Sequence, residues 1–311
     1  MSETRSVRHF LTLEDLGAEG VLAVLDRAAE LRALRGTPRH PRPLEGRTVV
    51  VLLEKASTRT RLSFEVGVHE LGGLCTTLVA RDTQLGRGEP VEDTARMFSR
   101  YAHAVVYRTS AHERLQRLAE ASAVPVVNGL TDRYHPCQLL ADLLTVRDHV
   151  RPDLSGVRVA WVGDGNNMAH SWILAAGLLG LHLRVATPEG YEPDPEVVAR
   201  ARALGRGEIE LTTDPRAAVA DADVVTTDVW ASMGQEAEAE ARRRAFEGWT
   251  VDSATMERAA EGAIFLHCLP AHRGEEVAAE VLEGPASRVW DEAENRLHAQ
   301  KALLETLLAG R

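Results

Sequence analysis

The stretch Thr48-Val49-Val50-Val51-Leu52-Leu53-Glu54-Lys55-Ala56-Ser57-Thr58-Arg59-Thr60-Arg61 sets an unbroken aliphatic run just ahead of a polar, basic one. A continuous β-branched and aliphatic run without polar alternation predicts a strand buried on both faces, as in a parallel sheet. The polar run then opens a helix that ends near Gly72-Gly73. A strand-to-helix junction presents unpaired backbone amides and the positive end of a helix dipole. Hydroxyls and guanidiniums placed there suit a phosphate dianion. A serine cap before a solvated basic turn would use the same letters, because serine and threonine are favoured N-caps.

Outward from this junction the same rhythm repeats. Leu74 to Ala80 reads as a strand, Val91 to Tyr101 as a helix and Ala104 to Tyr107 as a strand, and this βαβ alternation predicts a parallel sheet. Upstream, Leu22, Leu25, Ala28, Ala29 and Leu31 fall at or near helical spacing before a turn region from Gly36 to Pro43. Downstream, Leu139, Leu140, Leu143, Leu144 and Val146 form an apolar stripe on a helix from Pro136 to Val150, read as a bridge. After Arg151-Pro152-Asp153 and Gly156 the pattern restarts with a strand from Val157 to Val162, a helix through Leu179 and a strand from Leu181 to Ala186. Further strands are expected at Val224 to Thr227 and Ala263 to His267, and an amphipathic helix from Glu292 to Leu308. The expected fold class is α/β: two domains, residues 1–148 and 149–291, each with a central parallel sheet flanked by helices and linked by bridging helices. A length of 311 residues, beyond the roughly 100–200 of one domain, agrees with two cores.

Bulk composition narrows the partners. With 44% hydrophobic and 26% charged residues the chain belongs to the ordinary globular class, and its net charge of -10 disfavours nucleic acid and anionic membrane. Any bound phosphate must therefore be held by local cations and amides, and the partner is expected to be small. Residues 1–11 mix Glu3, Arg5, Arg8 and His9 with single apolar residues, unlike a secretory signal, so a cytoplasmic location is expected. No run of about 18 apolar residues predicts a membrane span. Cys75, Cys137 and Cys268 stand far apart without a C-x-x-C, which argues against a disulfide framework or a structural zinc site.

Two further features join the basic junction. Arg108 follows a strand at the end where α/β sheets bind ligands, although a single arginine there is ordinarily surface. His135-Pro136-Cys137-Gln138 opens the bridging helix, where His135 can donate to a carbonyl oxygen and Gln138 can hold an amide. Alone, such a histidine reads as a cap. Together, Ser57 to Arg61, Arg108 and His135 to Gln138 resemble the carbamoyl-phosphate site of the aspartate and ornithine transcarbamoylase family. The resemblance runs over essentially the whole chain.

That resemblance implies that Ser57, Thr58, Arg59 and Thr60 bind the phosphate, and that Thr58, Arg108, His135 and Gln138 hold the carbamoyl carbonyl or amide. Arg59 and Arg108 would stabilise charge growing on the leaving phosphate and the oxyanion. Gln84, in Thr83-Gln84-Leu85-Gly86, matches a family loop that reaches a neighbouring subunit's site, which implies a homotrimer or a multiple of trimers. An ordinary surface loop accounts for these letters equally well. Arg296, in Glu292-Ala293-Glu294-Asn295-Arg296, matches a family arginine on carbamoyl phosphate, so residues 292–311 would pack back on the first domain.

The second half resembles the family's ornithine site. In Gly163-Asp164-Gly165-Asn166-Asn167-Met168, the Asn167 amide can pair with both the carboxylate and the amine of an amino acid. Asp228-Val229-Trp230-Ala231-Ser232-Met233-Gly234 supplies a carboxylate for a cation, with Ser232 and the Met233 amide as further contacts and Ser232 to Gly234 resembling a mobile lid. Leu130 matches another ornithine contact. Alone, Asp228 reads as a turn residue. The run from Glu236 to Glu247, with Glu238 and Glu240 four residues before Arg242 and Arg244, reads as a solvated helical face. His267-Cys268-Leu269-Pro270 discriminates most, because aspartate enzymes of the family differ at Cys268; Cys268 and Leu269 are also assigned to carbamoyl phosphate.

The implied reaction carries the carbamoyl group of carbamoyl phosphate to the side-chain amine of L-ornithine, giving citrulline and phosphate. Carbamoyl phosphate enters first, the second domain closes with ornithine, and neither metal nor organic cofactor is called for. The amine must be neutral to attack, and Cys268 and Asp228 are the candidates for easing its deprotonation. Cys268 is read as handling a proton or touching the amine, with a buried structural thiol as the plainer account. Competing readings are a carbamoyltransferase for putrescine or an acylated ornithine, a non-catalytic protein on this scaffold, and a dinucleotide oxidoreductase. The last rests on Gly163-x-Gly165, yet Met168 stands at the third glycine position. Departures from the family pattern are slight: Leu53 stands where an aromatic is frequent, and Ala271-His272-Arg273 follows Pro270.

Overall fold

The computed structural model describes residues 9–231 and 238–308. They form two compact units, one running to Ala141 and resuming at Asn295, the other Asp142–Glu294. The first holds α1 (Gly17–Ala33), β1 (Thr48–Leu53), α2 (Thr58–Glu70), β2 (Leu74–Val79), α3 (Val91–Tyr101), β3 (Ala104–Arg108), α4 (His112–Ala121) and β4 (Val126–Leu130). The chain leaves it within α5 (Pro136–His149). The second holds β5 (Arg158–Val162), α6 (Asn167–Leu179), β6 (His182–Ala186), α7 (Pro195–Leu204), β7 (Glu208–Thr212), α8 (Pro215–Val219) and β8 (Val224–Thr227). It continues through α9 (Ala239–Ala245), α10 (Ser253–Met256), β9 (Ile264–His267) and α11 (Ala279–Leu282), and the chain returns to the first unit within α12 (Val289–Leu308).

Both sheets are wholly parallel, in the orders β2-β1-β3-β4 and β7-β6-β5-β8-β9. The α/β reading with two parallel sheets is thus the observed fold. Val49 to Leu53 are buried throughout, as a strand covered on both faces requires. In the first unit Val50, Leu52, Val105 and Tyr107 pack with Ala95, Phe98, Leu115 and Leu118. In the second, Ala160, Val162, Val225 and Phe265 pack with Trp230, Phe246 and Trp249. Each such large side chain, once fully buried, contributes about 1.5–3 kcal/mol. Local signals agree: Asp194 and Asp214 cap α7 and α8, each of which has proline in its first turn.

The strand orders decide where ligands sit. In the first sheet the chain moves from β1 outward to β2, then back past β1 to β3; in the second it moves from β5 through β6 to β7, then back to β8. At such a reversal the loops leaving the two central strands part, opening a crevice at their carboxyl ends. Ser57 follows β1 and Arg108 ends β3, while Gly163 to Asn166 follow β5 and Asp228 follows β8. No helix among the described residues is long and apolar enough to cross a membrane.

Candidate active site

The first unit gathers a cationic cluster around one neutral imidazole. Ser57 caps α2, its Oγ accepting from the Thr60 amide at 3.4 Å, and Thr58 is exposed at the first helical position. Thr60 is buried, and Arg108 Nη1 donates to its Oγ1 at 3.2 Å, tying the end of β3 to the α2 start. His135, buried just before α5, has its pKa held well below the usual imidazole range by desolvation, then by the charges of Arg296, Arg108 and Arg59. It is therefore an uncharged ring that carries a single N–H. Arg296 Nη1 donates to Gln138 Oε1 at 2.7 Å. Gln300, with its amide oxygen turned to Arg296, accepts from Nη2 at 2.9 Å and Nε at 3.1 Å and donates to Ser63 Oγ at 2.6 Å.

Ser57, Thr60, Arg59, Arg108, His135, Gln138 and Arg296 are thus linked by capping, hydrogen bonds or charge within one unit. Gln84 is outside this group; it is exposed, and its carbonyl accepts from the Arg87 and Glu89 amides. Leu130 is also in the first unit, ending β4 with φ 153° where the register slips past Gly129. Its amide donates to Asn128 Oδ1 at 2.9 Å. Sequence reasoning missed Gln300, because one glutamine on an amphipathic helix carries no pattern.

In the second unit the acidic centre is Asp228, buried one residue past β8. Its Oδ1 accepts from the Val229 amide at 2.8 Å and from the Cys268 thiol at 3.2 Å. Its Oδ2 accepts from Asn166 Nδ2 at 3.0 Å. Desolvation, with the carboxylates of Asp228, Glu292 and Asp142, pushes the Cys268 thiol well above its usual range. It is consequently a donor, and no thiolate stands here.

The Cys268 turn is fixed from behind. The His267 amide donates to Glu292 Oε2 at 2.9 Å, its Nδ1 accepts from the Leu269 amide at 2.9 Å, and Nε2 lies 3.0 Å from Glu276 Oε1. A ring nitrogen that accepts from an amide is unprotonated, so the proton is on Nε2 and faces Glu276. Leu269 takes φ 57° and precedes a cis proline. Asp228, His267 and Cys268 offer ligand atoms within 4.8 Å of one another, but both His267 nitrogens are already engaged, which suits a hydrogen-bonded site better than a metal.

Around this centre the loops are packed tightly. Asn166 caps α6, Oδ1 accepting from Met168 and Ala169 amides, whereas Asn167 is the first helical residue. A Cβ on Gly165 would fall 2.3 Å from the Pro193 nitrogen, so this glycine answers to a neighbouring loop and needs no dinucleotide to explain it. Arg242 departs from the solvated face expected of its run. Its pair with Glu238 forms at 3.1 Å, but the guanidinium is buried, with Nη1 donating to Asp164 Oδ2 and to the Trp230 carbonyl, both at 2.9 Å. Burial raises Asp164 to about 6 against the pull of Arg242. Ser232 and Met233, the remaining proposed acceptor contacts, lie outside the described residues.

The family description "Aspartate/ornithine carbamoyltransferase, carbamoyl-P binding domain" matches residues 8–148, and "Asp/Orn binding domain" of the same family matches residues 155–307. Ornithine carbamoyltransferase of Halorhodospira halophila is 57% identical over 304 residues, covering 98% of this chain and all of that protein. That of Acidothermus cellulolyticus is 57% identical over 306 residues, 97% of each. The solved ornithine carbamoyltransferase of Pyrococcus furiosus superposes with a TM-score of 0.93 at 48% identity, covering 98% of both chains. The Burkholderia thailandensis structure gives 0.89 at 48% identity over 98% of this chain and 100% of that one.

Proposed function

The chain belongs to the aspartate/ornithine carbamoyltransferase family, and on that premise we propose that it joins carbamoyl phosphate to L-ornithine, releasing citrulline and phosphate. The observation that carries the choice of acceptor is the buried carboxylate of Asp228, braced by Cys268 and Asn166. A carboxylate held in that way suits a cationic side-chain amine and repels the second carboxylate of aspartate. The first unit is assigned to the donor. Arg59, Arg108 and Arg296 would neutralise its phosphate, and the neutral His135 would give its N–H to the carbamoyl oxygen.

The ornithine nitrogen loses one proton and attacks the carbonyl carbon; the tetrahedral adduct then expels phosphate with its bonding electron pair, and the second N–H proton passes to the departing phosphate. Asp228 draws the ammonium in and takes up the proton, while Cys268, kept as a thiol, holds the carboxylate in place. Positioning two reactants in this way replaces a bimolecular encounter by an effectively unimolecular step. Arg59 and Arg108 lower the barrier by meeting charge where it develops. Asn167, Leu130, Ser232 and Met233 complete the proposed acceptor contacts, and Ser57, Thr58, Thr60, Gln84, Gln138 and Leu269 the donor contacts. We place the enzyme in cytoplasmic arginine biosynthesis as a homotrimer. Exposed apolar residues of the first unit, Leu62 and Val66 on α2, Leu74 on β2, and Met97 and Tyr101 on α3, support self-association.

The test is citrulline formation from carbamoyl phosphate with ornithine, set against product from putrescine, acetylornithine and aspartate at equal concentration. A clear preference for ornithine is expected. Preference for another amine would leave the donor assignment standing and overturn that of Asp228.

A further inference from the structure

Asn166 does two jobs with the two ends of one amide. Its Oδ1 accepts from the Met168 amide at 2.9 Å and the Ala169 amide at 3.2 Å, which caps α6. Because that end faces two donors, the amide cannot be turned over, and Nδ2 is obliged to face Asp228 Oδ2, 3.0 Å away. An ionised carboxylate offers about four lone-pair directions. Among the described residues Val229 and Cys268 occupy both directions of Asp228 Oδ1, and Asn166 occupies one of Oδ2. One direction, on Oδ2, is left.

We propose that Asn166 is a positioning residue for the acceptor, fixing the Asp228 carboxylate so that a single Oδ2 lone pair is presented to the amine that attacks. The inference rests on the ornithine reading of this site. Its neighbour Asn167 would meet the amino-acid end of the substrate, whereas Asn166 acts through Asp228 alone. Without the Nδ2–H the carboxylate is tethered at one oxygen only, and its plane can turn about the bond to Cβ. The amine then meets a range of directions in place of one, and the near-attack geometry is populated less. The cap confines the aim to a fixed amide plane, since Asn166 is hydrogen-bonded to the first turn of α6 and Asp228 directly follows β8.

The two jobs can be separated by substitution. Serine and aspartate are both good N-caps, so Asn166→Ser and Asn166→Asp retain the helix start while removing the donor. Wild type is assayed first for citrulline formation; failure there overturns the functional reading itself, independently of any effect at Asn166. For Asn166→Ser we expect kcat with ornithine to fall about 10- to 100-fold, the range of one charge-assisted hydrogen bond, with KM for carbamoyl phosphate unmoved. For Asn166→Asp the new carboxylate faces Asp228 beside Cys268, His267 and Asp164. Like charges so close favour a shared proton, so the acidic limb of the kcat/KM profile for ornithine moves to higher pH. If folded Asn166→Ser matches wild type in kcat and pH profile, the proposal is overturned. It is overturned equally if activity falls only in step with the thermal midpoint and the pH profile of Asn166→Asp stays in place, which would leave Asn166 a helix cap.

Discussion

His135 is a buried imidazole beside three guanidiniums, and its neutrality is a consequence of desolvation first and of that company second. In the unfolded chain it takes a proton near its ordinary 6.5, whereas in the folded chain it resists to much lower pH. The unfolded state therefore binds more protons as pH falls below about 6.5, and stability declines with acidification in that window, by up to about 1.4 kcal/mol per pH unit. Thermal midpoints measured from pH 7.5 to 5 should fall less steeply for His135→Asn than for wild type; equal slopes would remove His135 as the cause. At this scale the sequence was legible where a family motif coincides with a residue's place in an element. Thr60 at a helix start, Arg108 at a strand end and Asp228 beyond another strand stood where ligands are expected, but it was the family resemblance that picked them out, since by position alone Arg108 reads as surface and Asp228 as a turn residue. The residues' letters alone do not tell Asn166 from Asn167, because capping depends on backbone conformation, here a ψ of -169° at Asn166, and not on the letter. Arg242 was opaque for a related reason: an i,i+4 pair with Glu238 looks the same whether the arginine's far side meets water or Asp164.

At the scale of elements, α6 and α7 approach tightly at Gly177, where an added Cβ would fall 2.2 Å from the Ala201 carbonyl oxygen. In an isolated helix alanine would be favoured over glycine by about 1 kcal/mol. Here the overlap is with backbone and cannot be relieved by a rotamer change, so overpacking, about 1–3 kcal/mol or more, outweighs propensity. Gly177→Ala should lower the thermal midpoint on the order of 5 °C by calorimetry, and a rise would contradict the packing. β1 was readable because burial on both faces leaves an uninterrupted aliphatic run from Val49 to Leu53. β4 and β7 were not. Asn128-Gly129 within β4 has the look of a turn, and β7 is an edge strand, Glu208-Ile209-Glu210-Leu211-Thr212, in which Glu208, Glu210 and Leu211 are exposed and no residue is fully buried.

At the scale of the whole molecule, the proposed homotrimer predicts a single species at three times the chain mass in sedimentation velocity. Charged substitutions at Leu62 and Leu74 should shift it toward the monomer, and wild type sedimenting as a monomer would sink the assembly reading. The two-unit organisation also has a consequence in time. Arg296 and Gln300, which are hydrogen-bonded to each other and to Gln138 and Ser63 of the first unit, are translated only after the whole of residues 142–294. At ribosomal speeds of about 5–20 residues per second, that interval is on the order of ten seconds. Throughout it the nascent first unit lacks the helix residues Leu303, Leu304 and Leu307, which are buried in the finished chain. A message broken anywhere before codon 295 would release a chain without Arg296 and Gln300, and synthesis itself thereby withholds their hydrogen bonds to Gln138 and Ser63 from incomplete products.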